Sequence, residues 1–417
     1  MSTLSEVRFL ERSSPPHIVT LVAVAAFGPV MMNLFLPALP AIASYFNTQF
    51  AVVQFAVSLY LAATAFLQLL IGPLSDLYGR RPVLIGCIVL SLAATLAGIY
   101  APTIEIFLAA RIIQGSAIAG MVISRAAIRD MVATDEAASR IGYVTMAMTL
   151  APMVGPIVGG YLAEIYGWQA TFWLVFAFGL ATLALTWADL GETNRSRGGG
   201  FGTQFAAYPH LFKSRRFWGY SMSAALASGA FFAFLGGGPY LAVEYYNIPP
   251  SHFGYYFTFM GIGYLVGNFF TGRYSRRFGV NTMMMIGGIV ASIGMVIAFL
   301  AQFAGWHHPM ELYLPTSAIG LGNGILLPNA VAGMVGVRPH LAGSASGLGG
   351  FLQIGGGAIL SVVGGAIIGP GTGPMPLILL MLASSLLSIV VTLYVVTVAR
   401  QVAQADPEPP DQELPHM

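Results

Sequence analysis

The sequence predicts an all-α membrane protein of twelve transmembrane helices in two six-helix halves, with both termini cytoplasmic. Three observations carry that prediction: an apolar composition, twelve spaced apolar runs, and basic residues confined to alternate gaps. Of 417 residues, 56% are hydrophobic and only 8% are charged, against roughly 25% charged in a soluble domain. A helical crossing needs about 20 apolar residues, so a bilayer is the solvent that suits this chain. Its 50 glycines fit membrane helices, where small residues let backbones approach closely. A net charge of +2 leaves no footprint for nucleic acid. The single cysteine, Cys87, excludes an internal disulfide. No metal cluster, nucleophile–histidine pair or phosphate loop stands out, so no cofactor or metal is expected and an enzyme is the least favoured class.

The apolar runs lie at about 18–40, 52–74, 82–100, 105–125, 141–163, 168–188, 217–243, 253–272, 280–303, 312–335, 341–368 and 375–399. Residues 1–17 read as a cytoplasmic segment before a retained first helix, because no small-residue cleavage site follows a short hydrophobic stretch. Residues 18–188 form the first half and 217–400 the second. Between them, 189–216 reads as a cytoplasmic linker with Gly198, Gly199 and Gly200. The Pro-rich, acidic tail 401–417 reads as disordered. Seventeen of the 18 Lys and Arg residues fall on one side, in the N-terminal segment, in or at the edge of the even-numbered gaps, or at the C-terminal end. The positive-inside rule makes that face cytoplasmic, and moving one helix would scramble the pattern.

The halves repeat. Gly72, Ser75 and Gly79 after span two recur as Gly272, Ser275 and Gly279 after span eight, each 200 residues on. A six-plus-six repeat marks transporters that rock two halves about a midplane site.

The segment Gly72–Pro73–Leu74–Ser75–Asp76–Leu77–Tyr78–Gly79–Arg80–Arg81 closely resembles the loop motif of the major facilitator superfamily. The resemblance implies that Asp76 acts as a gating latch against the dipole-positive start of span eleven. In span five, Pro152, Gly155, Pro156, Gly159 and Gly160 resemble the antiporter motif of the drug-exporting branch: the prolines bend the helix and the glycines admit a neighbour. Arg111–Ile112–Ile113–Gln114–Gly115 resembles the superfamily's membrane-embedded arginine motif. With Leu36–Pro37–Ala38–Leu39–Pro40, the whole is similar to bicyclomycin- and chloramphenicol-type multidrug exporters, from about residue 20 to 400. The implied fold is the twelve-helix major facilitator fold. The implied activity is drug/proton antiport at a bacterial inner membrane, by a monomer.

Arg111 is the only charged residue well inside a span, and an intramembrane arginine is a functional candidate by default. Relatives of this kind carry an aspartate just before the Leu-Pro element; this chain has Asn33 there. A carboxylate in an apolar site can exchange a proton, whereas an amide cannot. Asn33 and Arg111 are therefore the coupling candidates, and three explanations stay open. Coupling is lost at Asn33, natural or engineered; or an acid at an outer helix end, such as Glu164 or Glu244, couples instead; or substrate moves without protons, as in a facilitator or an exchanger of anions that neutralise Arg111. A membrane sensor that has lost transport is a further rival, against which the short loops argue. A broad site for hydrophobic compounds wants an aromatic cavity with few polar groups. The candidates are Met32, Asn33, Phe35, Tyr60, Gln114, Phe231, Phe234, Asn323 and Gln353.

Overall fold

The computed structural model describes residues 9–12, 16–131, 134–194, 208–338 and 341–405. The centre of the expected linker, the first eight residues and the tail from 406 lie outside the described residues.

The described chain is helical throughout. Ten helices are long and apolar enough to cross a membrane: α1 (Ile18–Tyr45), α2 (Phe50–Tyr78), α3 (Arg80–Ile99), α4 (Ile104–Ile128), α6 (Gln169–Asp189), α7 (Arg215–Tyr245), α9 (Val280–Phe303), α10 (Met310–Gly336), α11 (Ser344–Ala366) and α12 (Met375–Gln401). Two further long helices, α5 (Thr134–Tyr166) and α8 (Pro250–Phe278), stand where the sequence places spans five and eight. Interruptions follow the residues that cause them. Proline removes a backbone donor, and α1 tightens into a 3-10 turn at Leu36–Ala38, around Pro37. A second 3-10 turn, Gly115–Ile118, divides α4 just after Gln114.

The repeat is structural as well as sequential. Gly79 and Gly279 join α2 to α3 and α8 to α9 with φ of 104° and 78°, values that side-chain-bearing residues rarely adopt. Their amides donate to Ser75 O at 3.1 Å and Ser275 O at 2.9 Å, closing equivalent turns.

Lipid tails are as apolar as leucine, so close packing rather than the hydrophobic effect holds such helices together. Glycines supply it: a Cβ on Gly320 would strike Met260 O of α8, and one on Gly324 would strike Tyr264 O. The two halves meet through α5 against α8 and α2 against α11. Gly160 lies on Pro250 O and Gly254 on Ile157. The Tyr161 and Tyr255 hydroxyls are 2.7 Å apart, and Ser251 N donates to Glu164 Oε2 at 3.0 Å. On the other side, Gln54 Nε2 donates to Ser361 Oγ at 3.1 Å, and the Phe50 and Tyr240 rings meet at a tilt with centroids 4.8 Å apart. All of these contacts lie at the end remote from the basic loops, so the halves are closed there.

Gly320→Val is expected to lower the stability of the detergent-solubilised protein by about 2 kcal/mol, as overpacking does. Gly336→Val, whose Cβ meets nothing within 4 Å, is expected to change it by under about 0.5 kcal/mol. Thermal melts followed by size-exclusion chromatography check the pair.

Candidate functional site

Arg111 lies in α4 with no exposed surface. Its guanidinium is sandwiched between the Phe35 ring of α1, 4.1 Å from the ring centre, and the Tyr60 ring of α2, at 4.6 Å. Cation–π attraction of this kind strengthens when water is excluded. Nε donates to Ala56 O at 3.1 Å and Nη1 to Gln114 Oε1 at 2.5 Å. Tyr60 in turn donates to Gly28 O at 3.0 Å, which orients its ring. The network continues outward into α3. Gln114 Nε2 donates to Thr95 Oγ1 at 2.9 Å, Thr95 to Ser91 O at 2.8 Å, and the Ser91 and Ser116 hydroxyls are 2.7 Å apart. Nη2 of Arg111 is buried without a partner. Among the described residues, no carboxylate pairs with this charge.

Asn33 is 4% exposed but looks elsewhere. Its Nδ2 donates to Pro29 O at 2.8 Å in its own helix, and its Oδ1 is buried without a partner. Its Cβ lies 3.2 Å from where a Cβ on Gly155 would sit, and Gly159 abuts Leu34 O. Asn33 thus faces the glycines of α5, and among the described residues it shares no hydrogen bond with Arg111. Met32 is buried beside it at 6% exposure. Pro152 and Pro156 both lie inside the continuous helix α5.

The second-half candidates gather only in part. Phe234 is fully buried and packs on Phe257 at 5.8 Å and Tyr313 at 5.7 Å, and Phe231 reaches the same Phe257 at 6.3 Å. Asn323 of α10 is buried with Oδ1 unpartnered. Gln353 of α11 is half-buried and shares no hydrogen bond with the Arg111 network among the described residues.

Several polar groups escaped the sequence reading. Thr95, Ser91 and Ser116 complete the Arg111 network; the i, i+4 spacing of Ser91 and Thr95 was the available signal. Glu311 lies at the outer end of α10, yet it is only 1% exposed. Tyr246 donates to its Oε1 at 2.6 Å. The Gln302 amide, turned so that its nitrogen faces the acid, donates at 2.9 and 3.3 Å. His307 and His308 lie close enough to act on its charge. Burial first, and then the Glu311 carboxylate, push the Tyr246 hydroxyl pKa far up, so it remains a donor.

In the loop, Arg80 pairs with Asp76 at 2.5 Å and with Asp130 at 3.1 Å, and its Nη1 donates to Ser75 Oγ at 2.6 Å. The Arg80 and Arg81 amides donate to Glu192 Oε1 at 2.9 Å and Oε2 at 3.3 Å. Gly72 O accepts from Ser75 Oγ. Asp76 is engaged with Arg80 at the start of the next helix, α3; residues 339–340, just before α11, are outside the described residues. No group of three potential metal ligands occurs among the described residues.

The profile of the Major Facilitator Superfamily matches residues 21–361 and 238–414. The chain belongs to this superfamily. It is 26% identical over 358 residues to a bicyclomycin resistance protein homolog of Haemophilus influenzae, covering 84% of this chain and 89% of that one. It is 26% identical over 379 residues to multidrug resistance protein D of Escherichia coli, covering 89% and 93%. Among solved structures, a bacterial homolog of the human lysosomal transporter Spinster, inward-facing and occupied, superposes with a TM-score of 0.71 at 15% identity, covering 94% and 98%; that likeness concerns the fold. The chain is a multi-pass membrane transporter of the type whose relatives are named for drug resistance.

Arg111→Lys keeps the charge but loses the planar sandwich and the paired donors. It is expected to lower stability by about 1–3 kcal/mol and to reduce transport. Tyr60→Phe, which loses only the bond to Gly28 O, is expected to cost about 1 kcal/mol. Melting curves and uptake into proteoliposomes compare the two.

Proposed function

We propose that the protein exports small hydrophobic compounds across a bacterial inner membrane by alternating access, as a monomer of twelve spanning helices with both termini cytoplasmic. One observation carries this reading. The α5 segment resembling the antiporter motif sits at the junction of the halves, with Gly155 against Asn33, Gly159 against Leu34 and Gly160 against Pro250. A proline-containing, glycine-lined helix in that place touches both position 33 and the second half, so a rocking of the halves changes the surroundings of both. Relatives named for bicyclomycin and multidrug resistance support the substrate class. Substrate is met by the aromatic groups Phe35, Tyr60, Phe231 and Phe234, with Met32, Gln114, Asn323 and Gln353 as its polar and flexible contacts. The loop Gly72, Asp76, Gly79, Arg80 and Arg81 acts as the inner gate.

In relatives of this type a proton moves against the drug. Here Asn33 cannot carry one. Position 33 binds without titrating, and the chain as it stands moves drug down its own gradient. A second reading has a specific observation behind it: the buried, unpartnered Nη2 of Arg111 is a ready donor for an anionic group, which makes an anion exchanger the rival.

Purified protein in proteoliposomes decides between them. Wild type is expected to move a lipophilic fluorescent drug without moving protons, and Asn33→Asp to couple the two. Should wild type already couple, the buried Glu311 becomes the carrier, and Glu311→Gln must then abolish drug-driven proton movement. Drug movement that requires a co-present anion in both forms favours the exchanger. Failure to move any drug tested sinks the export reading.

A further inference from the structure

The internal repeat is broken at one place on the basic face, and the break leaves a charged cavity. In the first half, the start of α3 is occupied from within: Glu192, just beyond α6, receives the Arg80 and Arg81 amides and lies directly on Gly79. The carboxylate thus satisfies helix-end donors that have no partner inside the helix and sits at the positive end of the helix dipole. In the second half, Gly279 begins α9 with the same turn, but a Cβ placed on it would meet nothing within 4 Å, where one on Gly79 would strike Glu192. There α12, which runs on to Ala405, contributes Arg400.

What opens there is a cavity of about 740 Å³ between α7, α9, α10 and α12, lined by Arg216, Tyr220, Gly279, Asn281, Thr282 and Arg400 among others. Both arginines lack an ion-pair partner among the described residues, and the Arg216 Nε is buried with no hydrogen bond. Tyr220 is fixed by donating to Asn281 Oδ1 at 2.9 Å, so the wall is built rather than loose. Its rim is apolar and faces outward: Phe278 is 47% exposed and Leu393 is 53% exposed. Two guanidiniums, a hydroxyl and a helix start at the inner end, with bare hydrocarbon at the rim, match a molecule with a phosphate head and acyl tails. Basic pockets between membrane helices on this side are suited to anionic headgroups, and arginine holds phosphate through paired donors.

We propose that this cavity binds the headgroup of an anionic phospholipid from the leaflet at the basic face. The lipid phosphate occupies the place that Glu192 fills in the first half and completes the second half's turn. The site is separate from the Arg111 network and independent of which compound is transported.

The test uses the purified full chain in a neutral detergent, with Tm read after adding short-chain phosphatidylglycerol, phosphatidylcholine of equal chain length, or inorganic phosphate. Phosphatidylglycerol is expected to raise Tm by roughly 2 °C or more, and the other two to leave it unchanged. The double variant Arg216→Gln/Arg400→Gln is expected to lose the response. Arg273→Gln/Arg276→Gln, exposed on the same face but outside the cavity, is expected to keep it. Should the first pair fold poorly, Thr282→Glu retains both arginines and adds a repelling charge at the cavity, and it too is expected to lose the response. The proposal is overturned if phosphatidylcholine stabilises equally, if phosphate alone reproduces the shift, if the control pair loses the response, or if neither cavity variant changes it.

Discussion

Close approach between backbones is the constraint on which the rest of this structure depends. In lipid, no hydrophobic force drives one helix onto another, and backbone groups find no partner outside the protein. Helices therefore associate where side chains shrink. The second half is assembled in this way, with Gly263 and Gly267 of α8 set into α10 and Gly287 of α9 set against Gly322. The same device joins the halves along α5 and α8, where Gly160 and Gly254 each receive backbone from the opposite side. A contact made of backbone against glycine is geometrically exacting and chemically featureless. It holds while the helices are aligned and offers little once they tilt, which suits the proposed rocking of the halves.

Against that background the Arg111 network stands out as the costly element. A buried charge without a carboxylate partner is tolerated only if other groups replace its hydration. Here a carbonyl, an amide oxygen and two ring faces do so, and one donor is left over. Drawing Phe35, Tyr60 and Gln114 around the guanidinium ties α1, α2 and α4 into a rigid unit. Asn33 sits outside that unit, one face round on α1, against α5. The two coupling candidates are thus divided between the Arg111 cluster and the junction of the halves.

Much of the architecture was legible in the chain because its signals are local. Apolar runs, proline breaks and the recurring Gly–Ser–Gly turns depend on neighbours a few residues away, and the helices fall where those signals place them. The lone Arg111 was legible as well, since a charge in an apolar run needs no tertiary information to be noticed, and Gln114 lies three residues on, on the same helical face. Its other partners were not. Ala56 O is a backbone atom, invisible to any reading of side chains, and Thr95 comes from another helix. The Gln54–Ser361 bond spans 307 residues, and nothing in either segment announces the other. Glu311 shows the same limit from the opposite direction: it stands at a helix end, and only the fold brings Tyr246 and the rings of Tyr313 and Tyr256 to that end.

The departures from two-fold repetition carry the functional asymmetry. Asp76 in the first loop is replaced by Arg276 in the second, so the ion-paired loop Asp76–Arg80–Asp130 has no counterpart across the axis. The polar network built on Arg111 lies in the first half, whereas the second half offers rings and a buried acid at its outer end. Glu192 closes the first half's turn from within, while the second half's turn opens on two arginines. At the loops the first half pairs its charges internally, whereas the second turns two arginines toward the cavity between α7, α9, α10 and α12. Under the proposed alternating access, that asymmetry leaves the first half's loop held by its own ion pairs and the second half's loop open to an anionic partner.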